Sequence, residues 1–218
     1  GVSGRIVCTI TPAYALPGRD LRYEPIFLAD MFKVNSVVKG KFVPHIIEHL
    51  INPTYKESLA FIRDLKRSPL PVSFDIEWIN IHTACYGLSN DPHKAMCINV
   101  RDMLTNRFTV QEEADILCAI QNLCDSHKII AQHGTFDSYA TGLRERLKIK
   151  IWFDTLLAHH TLLSRWPHSL EFLVSMYTTH PYYKDERTDW EEGGDINRYW
   201  EYNCDDAALT YAIHEPLL

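Results

Sequence analysis

Several kinds of segment are missing from this chain of 218 residues. No run approaches the ~20 consecutive apolar residues that a membrane-spanning helix needs. No basic stretch leads into an apolar one at the start, so nothing reads as a secretory signal, and no membrane partner is expected. The six cysteines (Cys8, Cys85, Cys97, Cys118, Cys124 and Cys204) form no CxxC pair and lie mostly in apolar runs. They read as small buried hydrophobes in a reducing, cytoplasmic setting. Eleven histidines are present, yet no HExxH or CxxC…HxxxH spacing organises them into a zinc site. His159 and His160 are adjacent on a predicted helix, so they diverge and do not chelate together. Positive charge is short as well: 22 Lys and Arg against 28 Asp and Glu leave a formal net charge of −6. That balance argues against wrapping a nucleic-acid duplex through a broad basic face. Internal repeats and low-complexity segments are also missing.

What is there suits one domain of ordinary size with an appendage, since 46% of the residues are hydrophobic. The opening GVSGRIVCTI reads as the middle of a strand, so the chain is expected to be a piece of a longer protein. RIVCTI is a predicted strand, TPAYALPGRD a loop, and YEPIFLADMFKV a short amphipathic helix. The stretch from Val34 to Thr54 is irregular, with Pro44 and Pro53 as breakers. YKESLAFIRDLKRS has helical spacing. From Val72 the pattern changes. FDIEWINI, HTACYGLS and KAMCINV, with a turn at Asn90-Asp91-Pro92, predict an antiparallel meander. Thr109 to Glu112 fits a capping box for a helix running to Cys124. KIIAQH, a helix over TFDSYATGLRERL, the strand IKIWF, and a helix over DTLLAHHTLL follow. A polar loop (KDERTDWEEGGD) leads to a last helix, NRYWEYNCDDAALTYAIHEPL. Strands first in antiparallel succession and then alternating with helices predict a mixed α/β sheet.

VSFDIEW, residues 72–78, puts two carboxylates into a segment that otherwise reads as buried sheet. Side chains alternate along a strand, so Asp75 and Glu77 share one face while Val72, Phe74, Ile76 and Trp78 occupy the other. Two like charges side by side repel, and each costs several kcal/mol to take out of water. A cation between them would explain the pair. Three further acids stand out. Asp137 lies in the first turn of a helix straight after a strand, at the carboxyl edge where α/β sheets bind ligands, although a helix dipole alone favours an acid there. Asp206 follows Tyr202 by four residues, which places both on one helix face; Tyr202 by itself reads equally as an amphipathic core residue. Asp154, before Thr155, reads as an N-cap, and Asp205 as a solvated neighbour of Asp206 that diverges by about 100°.

Asp-x-Glu on a strand, an Asp at a helix start and Tyr-x-x-x-Asp on a late helix, in this order, resemble the three exonuclease motifs of the DEDD family, the DnaQ-like branch of the ribonuclease-H-like fold. Tyr202 in the third motif marks the DEDDy subgroup. FDIEW, GTFDSYA, FDTLLAHHTL, SLEFLVSMYT and YNCDDAALT together look most like proofreading domains of family A DNA polymerases, phage-type ones in particular. The resemblance covers Val72 to the C-terminus. It implies a ribonuclease-H-like mixed sheet, three antiparallel strands then parallel ones, flanked by helices and carrying a small N-terminal appendage. The corresponding divisions are 1–45 for the appendage, 46–70 for a connecting helix and 71–218 for the exonuclease domain.

The resemblance also implies a site. Two divalent cations, Mg²⁺ or Mn²⁺, are expected, because hard cations prefer carboxylate oxygens and a pair of them stabilises both oxygens of an in-line phosphoryl displacement. Asp75 would bridge both, Glu77 and Asp206 would complete the shell of the first ion, Asp137 would hold the second ion, and Tyr202 would orient the attacking water. The substrate would be a single-stranded DNA 3' end, and a covalently linked polymerase domain the partner; a phage-encoded protein would work in the bacterial host cytoplasm. For substrate contact the expected residues are Ile76, Trp78, His133, Phe136 and Lys184, with Tyr183 as a further stacking ring; core packing competes for Trp78 and Phe136. His133 departs from the family, which carries Asn there. A free-standing RNA exonuclease of the ribonuclease D type, or an inactive DEDD-like domain kept for binding, fits the same motifs. Separately, residues 5–34 resemble the closing strand, loop and helix of the uracil-DNA glycosylase fold, with Thr11 at the histidine position and the catalytic loops missing. A plain strand and helix packed on the exonuclease sheet fits them equally.

Overall fold

Residues 23–79, 82–102, 105–181 and 194–218 are described by the computed structural model. Residues 5–22 of the glycosylase-like stretch, including Thr11, lie outside them, as do Tyr183 and Lys184. In chain order the described elements are α1 (Tyr23–Val38), β1 (Glu48–Leu50), α2 (Tyr55–Arg67), β2 (Val72–Ile79), β3 (His82–Asp91), β4 (Lys94–Asn99), α3 (Val110–Ser126), β5 (Ile129–Ala131), α4 (Gly134–Arg144), β6 (Ile151–Asp154), α5 (Thr155–Leu162), α6 (Leu170–Tyr177) and α7 (Ile196–His214), the last followed by a short 3-10 turn.

The six strands form one sheet in the order β1-β4-β3-β2-β5-β6. β2, β3 and β4 pair antiparallel, while β5 and β6 add to β2 in parallel. This is the ribonuclease-H-like α/β arrangement. Beyond the expected strands, β1 pairs in parallel with β4, Glu48 opposite Lys94. Residues 46–70 therefore supply an edge strand as well as α2. Both predicted helix starts on either side of the meander hold: Thr54 and Thr109 each form a reciprocal capping box with Glu57 and Glu112.

The alternation along β2 separates two cores. Val72, Phe74 and Ile76 pack with Tyr86, Leu88 and Ile98 under α2 and α3. On the other face, Ala84, Cys85, Ala95 and Cys97 pack under α7. α7 is buried all round, from Tyr199 and Trp200 through Ala207 and Leu209 to Ile213, and its small residues Cys204, Ala207 and Ala208 let it lie close to the sheet. Fully burying an aromatic or large aliphatic side chain contributes about 1.5–3 kcal/mol, so both cores are substantial. Four of the five described cysteines are buried and Cys118 is exposed. Burial pushes the buried thiols up, Cys124 to about 12, which leaves them inert. No helix among the described residues is long and apolar enough to cross a membrane.

Candidate active site

The face of β2 that carries Asp75 and Glu77 meets α7, and α7 does two things there. It adds Asp206, whose carboxylate lies with those of Asp75 and Glu77 so that one oxygen of each falls within 4.8 Å of the others. It also holds the two strand acids in place. Tyr199 Oη donates to Glu77 Oε2 at 2.8 Å and to the carbonyl of Trp78 at 2.9 Å. Asn203 Nδ2 donates to Asp75 Oδ2 at 2.7 Å. Ser73 Oγ donates to the Ala207 carbonyl at 2.7 Å and pins strand to helix between them. Neither Tyr199 nor Asn203 stands out in the sequence, because their role depends on α7 being buried against the sheet.

Gly87 makes this contact possible. It sits opposite Asp75 in the β2–β3 register, and a Cβ there would stand 2.7 Å from Asn203 Oδ1. Asn203 is fully buried and has nowhere to retreat. Gly87→Ala is expected to destabilise the fold by about 1–3 kcal/mol through overpacking. It should also lower turnover about 10–100-fold by moving the amide off Asp75, the usual scale for disturbing a residue that orients a metal ligand. Thermal unfolding together with kcat would check it; a stable, fully active variant would show that the amide does not set the position of Asp75.

The strand bends where the site needs it. The β2–β3 register slips between Glu77 and Trp78, a bulge of the kind that re-aims side chains beside active sites. Ile76, expected to contact substrate, turns its side chain, 5% exposed, into the core on the opposite face of the sheet. The period-two alternation that groups the acids sends Ile76 the other way.

Asp137 reaches the acids from α4. It is 5% exposed, and its Oδ2 is buried without a hydrogen-bond partner. Burial first, then the carboxylates of Glu77, Asp154 and Asp206, hold its pKa well above the usual carboxylate range. An orphaned, buried oxygen facing a cluster of like charges is what a cation-binding set looks like without its cation, so these residues fit a divalent metal. Tyr202 is buried beside them. Burial, followed by Asp206, Glu77 and Asp75, raises its pKa, and its hydroxyl hydrogen-bonds Asp206. The phenol therefore stays protonated at neutral pH and donates to Asp206.

Asp154, His133, Phe136 and Trp78 lie at the starts of α4 and α5 and the end of β2, and Trp78 packs against the first core. Asp154 is the expected N-cap of α5, accepting from Leu156 N and Leu157 N, and it also accepts from His133 N and Gly134 N at 3.2 and 2.9 Å. One carboxylate thus ties together the starts of α4 and α5. His133 precedes α4 in the left-handed region, φ 60°, with its ring exposed. Phe136 is 50% exposed, against the expectation of core packing, and stands 5.8 Å from the Trp78 ring, centroid to centroid. Arg144 lies over the other part of this pair, 5.7 Å from the Trp78 centroid.

The expectation for Asp205 changes. Asp205 is not solvated: it is buried, and His49 Nε2 of β1 lies 2.6 Å from its Oδ1, with His180 Nε2 at 3.8 Å. Its divergence from Asp206 turns it toward the β1 edge. His159 and His160 do diverge, yet both reach His168, whose Nδ1 is 2.7 Å from His159 Nδ1 and whose Nε2 is 3.0 Å from His160 Nδ1.

Residues 51–218 match the family described as 3'-5' exonuclease. The chain belongs to that family. No curated protein matches it in sequence. Among solved structures it is similar to the catalytic core of RRP6 from Trypanosoma brucei (16% identity, TM-score 0.59, 80% of this chain and 48% of that one). It is also similar to Escherichia coli RNase D, an exoribonuclease involved in structured RNA processing (16%, 0.59, 78% and 44%). A third likeness is to the POL domain of Pol1 from M. smegmatis (12%, 0.51, 78% and 27%). At these identities the likeness is one of fold. The chain spans less than half the length of each of the three. The exonuclease family normally works with divalent metal ions, which agrees with the donor set formed by Asp75, Glu77 and Asp206.

Proposed function

We propose that this 3'-5' exonuclease domain removes nucleoside 5'-monophosphates from the 3' end of single-stranded DNA, as the proofreading module of a family A DNA polymerase. The observation that carries the chemistry is the buried, partnerless Asp137 oxygen facing the Asp75–Glu77–Asp206 cluster. Asp75, Glu77, Asp137 and Asp206 would hold two Mg²⁺ or Mn²⁺ ions, which lower the pKa of a bound water and neutralise charge on the scissile phosphate. Tyr202, kept protonated with its O–H held on Asp206, offers its phenol oxygen to accept from the attacking water and orient it. Phe136, half-exposed and tilted against the partly buried Trp78, offers a face for the terminal base, and His133 offers an exposed imidazole three residues before it. DNA is favoured by the polymerase-like flanks of the motifs, FDIEW and YNCDDAALT above all.

A second reading, trimming of RNA 3' ends, draws on the stronger structural likeness to RNase D and RRP6. One experiment separates the two. DNA and RNA oligonucleotides labelled at the 5' end are incubated with Mg²⁺, Mn²⁺ or EDTA. A metal-dependent ladder shortening from the 3' end of DNA is the expected result. A ladder on RNA alone establishes the second reading, and no shortening of either overturns both.

A further inference from the structure

The proposed chemistry occupies one end of the sheet; the opposite end is basic. β2, β5 and β6 run parallel, so the residues that precede them gather at one edge: Lys66 and Arg67 before β2, Lys128 before β5, Lys148 and Lys150 before β6. All five are exposed. Asp64 pairs with Arg67 at 3.5 Å, whereas the four lysines have no ion-pair partner among the described residues. In a chain of net charge −6 this concentration is selective.

Two clefts meet there. One, of about 500 Å³, is lined by Lys66, Arg67, Leu70, His127 and Lys128. The other, of about 680 Å³, climbs the open edge of the sheet beside β6, from Ile149 and Trp152 past Tyr139 to Gly134 and Asp154. Lys128, which lines the first, holds its Nζ 4.4 Å over the ring of Trp152, which lines the second. Trp152 is 41% exposed and Tyr139 69% exposed. The upper end reaches the first turn of α4, which carries Asp137. Asp154, the one acid of that cleft, already accepts four backbone N–H groups.

Resting on the exonuclease reading, we infer that this groove is the path of the strand 5' to the cleaved end. Trp152 and Tyr139 present stacking faces for bases, and Lys128, Lys148, Lys150 and Lys66 present cations for phosphates, the combination that holds single strands without regard to sequence. Val72 to Glu77 spans about 16 Å at the rise of a strand, or about five stacked nucleotides at roughly 3.4 Å each. Strands longer than that reach the lysines; a tetramer does not.

The test compares oligo(dT)12 with oligo(dT)4, on the parent chain and on a Trp152→Ala/Lys128→Glu/Lys150→Glu variant whose folding is checked by thermal unfolding. Fluorescence anisotropy in Ca²⁺ reads binding, and degradation in Mn²⁺ reads kcat/KM. The parent is expected to prefer the 12-mer by at least tenfold in both. In the variant that preference collapses toward one, and the salt dependence of 12-mer binding loses about 1.4 from its slope for two phosphate contacts at about 0.7 each. A preference that survives in the variant, or was never present in the parent, overturns the groove and leaves it to a protein partner. A parent that binds the 12-mer preferentially yet cuts neither oligonucleotide defeats the DNA reading and leaves the groove standing.

Discussion

Asp137→Asn is expected to yield a metal-free protein more stable than its parent and an enzyme roughly 10³-fold slower. The stability gain follows from the sign of the pKa shift. In the folded state the Asp137 carboxyl is held above its unfolded value by burial and by Glu77, Asp154 and Asp206. A raised carboxyl pKa contributes stability that is complete below the unfolded value of about 3.9 and is lost as pH rises through the folded one. At neutral pH, without metal, the folded protein must therefore carry an unfavourable charge or an extra proton. Asparagine keeps the shape and removes the charge. A gain of about 1–2 kcal/mol, or about 2–8 °C in Tm for a domain of this size, is expected in EDTA at pH 7.5. It should shrink toward pH 4. The activity loss follows from withdrawing a metal ligand, since charge stabilisation by such a site supplies several kcal/mol of the barrier. Thermal unfolding across pH, with and without metal, checks both halves. An Asn variant less stable than its parent in EDTA would make Asp137 a structural residue.

Asp75→Ala with Glu77→Ala should behave differently. Activity should again fall by at least roughly 10³-fold, but stability in EDTA should drop. These two acids are not orphaned: Tyr199 and Asn203 donate to them, and deleting the acceptors strands the buried Asn203 amide at about 1–3 kcal/mol, while Tyr199 keeps the Trp78 carbonyl. The second signature is ligand linkage. Mn²⁺ at a hundred times its Kd should stabilise the parent by about 2.7 kcal/mol and the double variant by nothing. A double variant that retains the Mn²⁺-induced rise in Tm would place the metal elsewhere.

The contrast between these variants shows what the sequence makes legible. Periodicity of two groups Asp75 with Glu77, a spacing of four groups Tyr202 with Asp206, and Asp154 and Thr109 mark helix starts by the chemistry of their side chains. These are local rules, and the structure keeps them. What depends on contacts across the sheet stays hidden. β1 is three residues long between Pro44 and Pro53, too short to show a period, and its partner β4 lies more than forty residues on. The burial of Asp205 follows from β1, because His49 comes from that strand. Asn203 and Tyr199 read as ordinary helix residues until α7 is seen to be covered on every side. Gly87 reads as a neutral strand glycine until the amide that fills its missing side chain is in view. Ile76 is the reverse case, where a likeness to a family motif outran the alternation that the same segment displays.

The position of α7 in the chain sets an order of events during synthesis. The sheet from β2 to β6 is made first, with Asp75 and Glu77 displayed but without Asp206, Tyr202 or the two side chains that steady them. Until residues 196–214 leave the ribosome and dock, the nascent polypeptide has no assembled cutting centre. A chain stopped before residue 196 lacks Asp206 and Tyr202 and the side chains that hold Asp75 and Glu77, and is expected to show no activity in a nuclease assay.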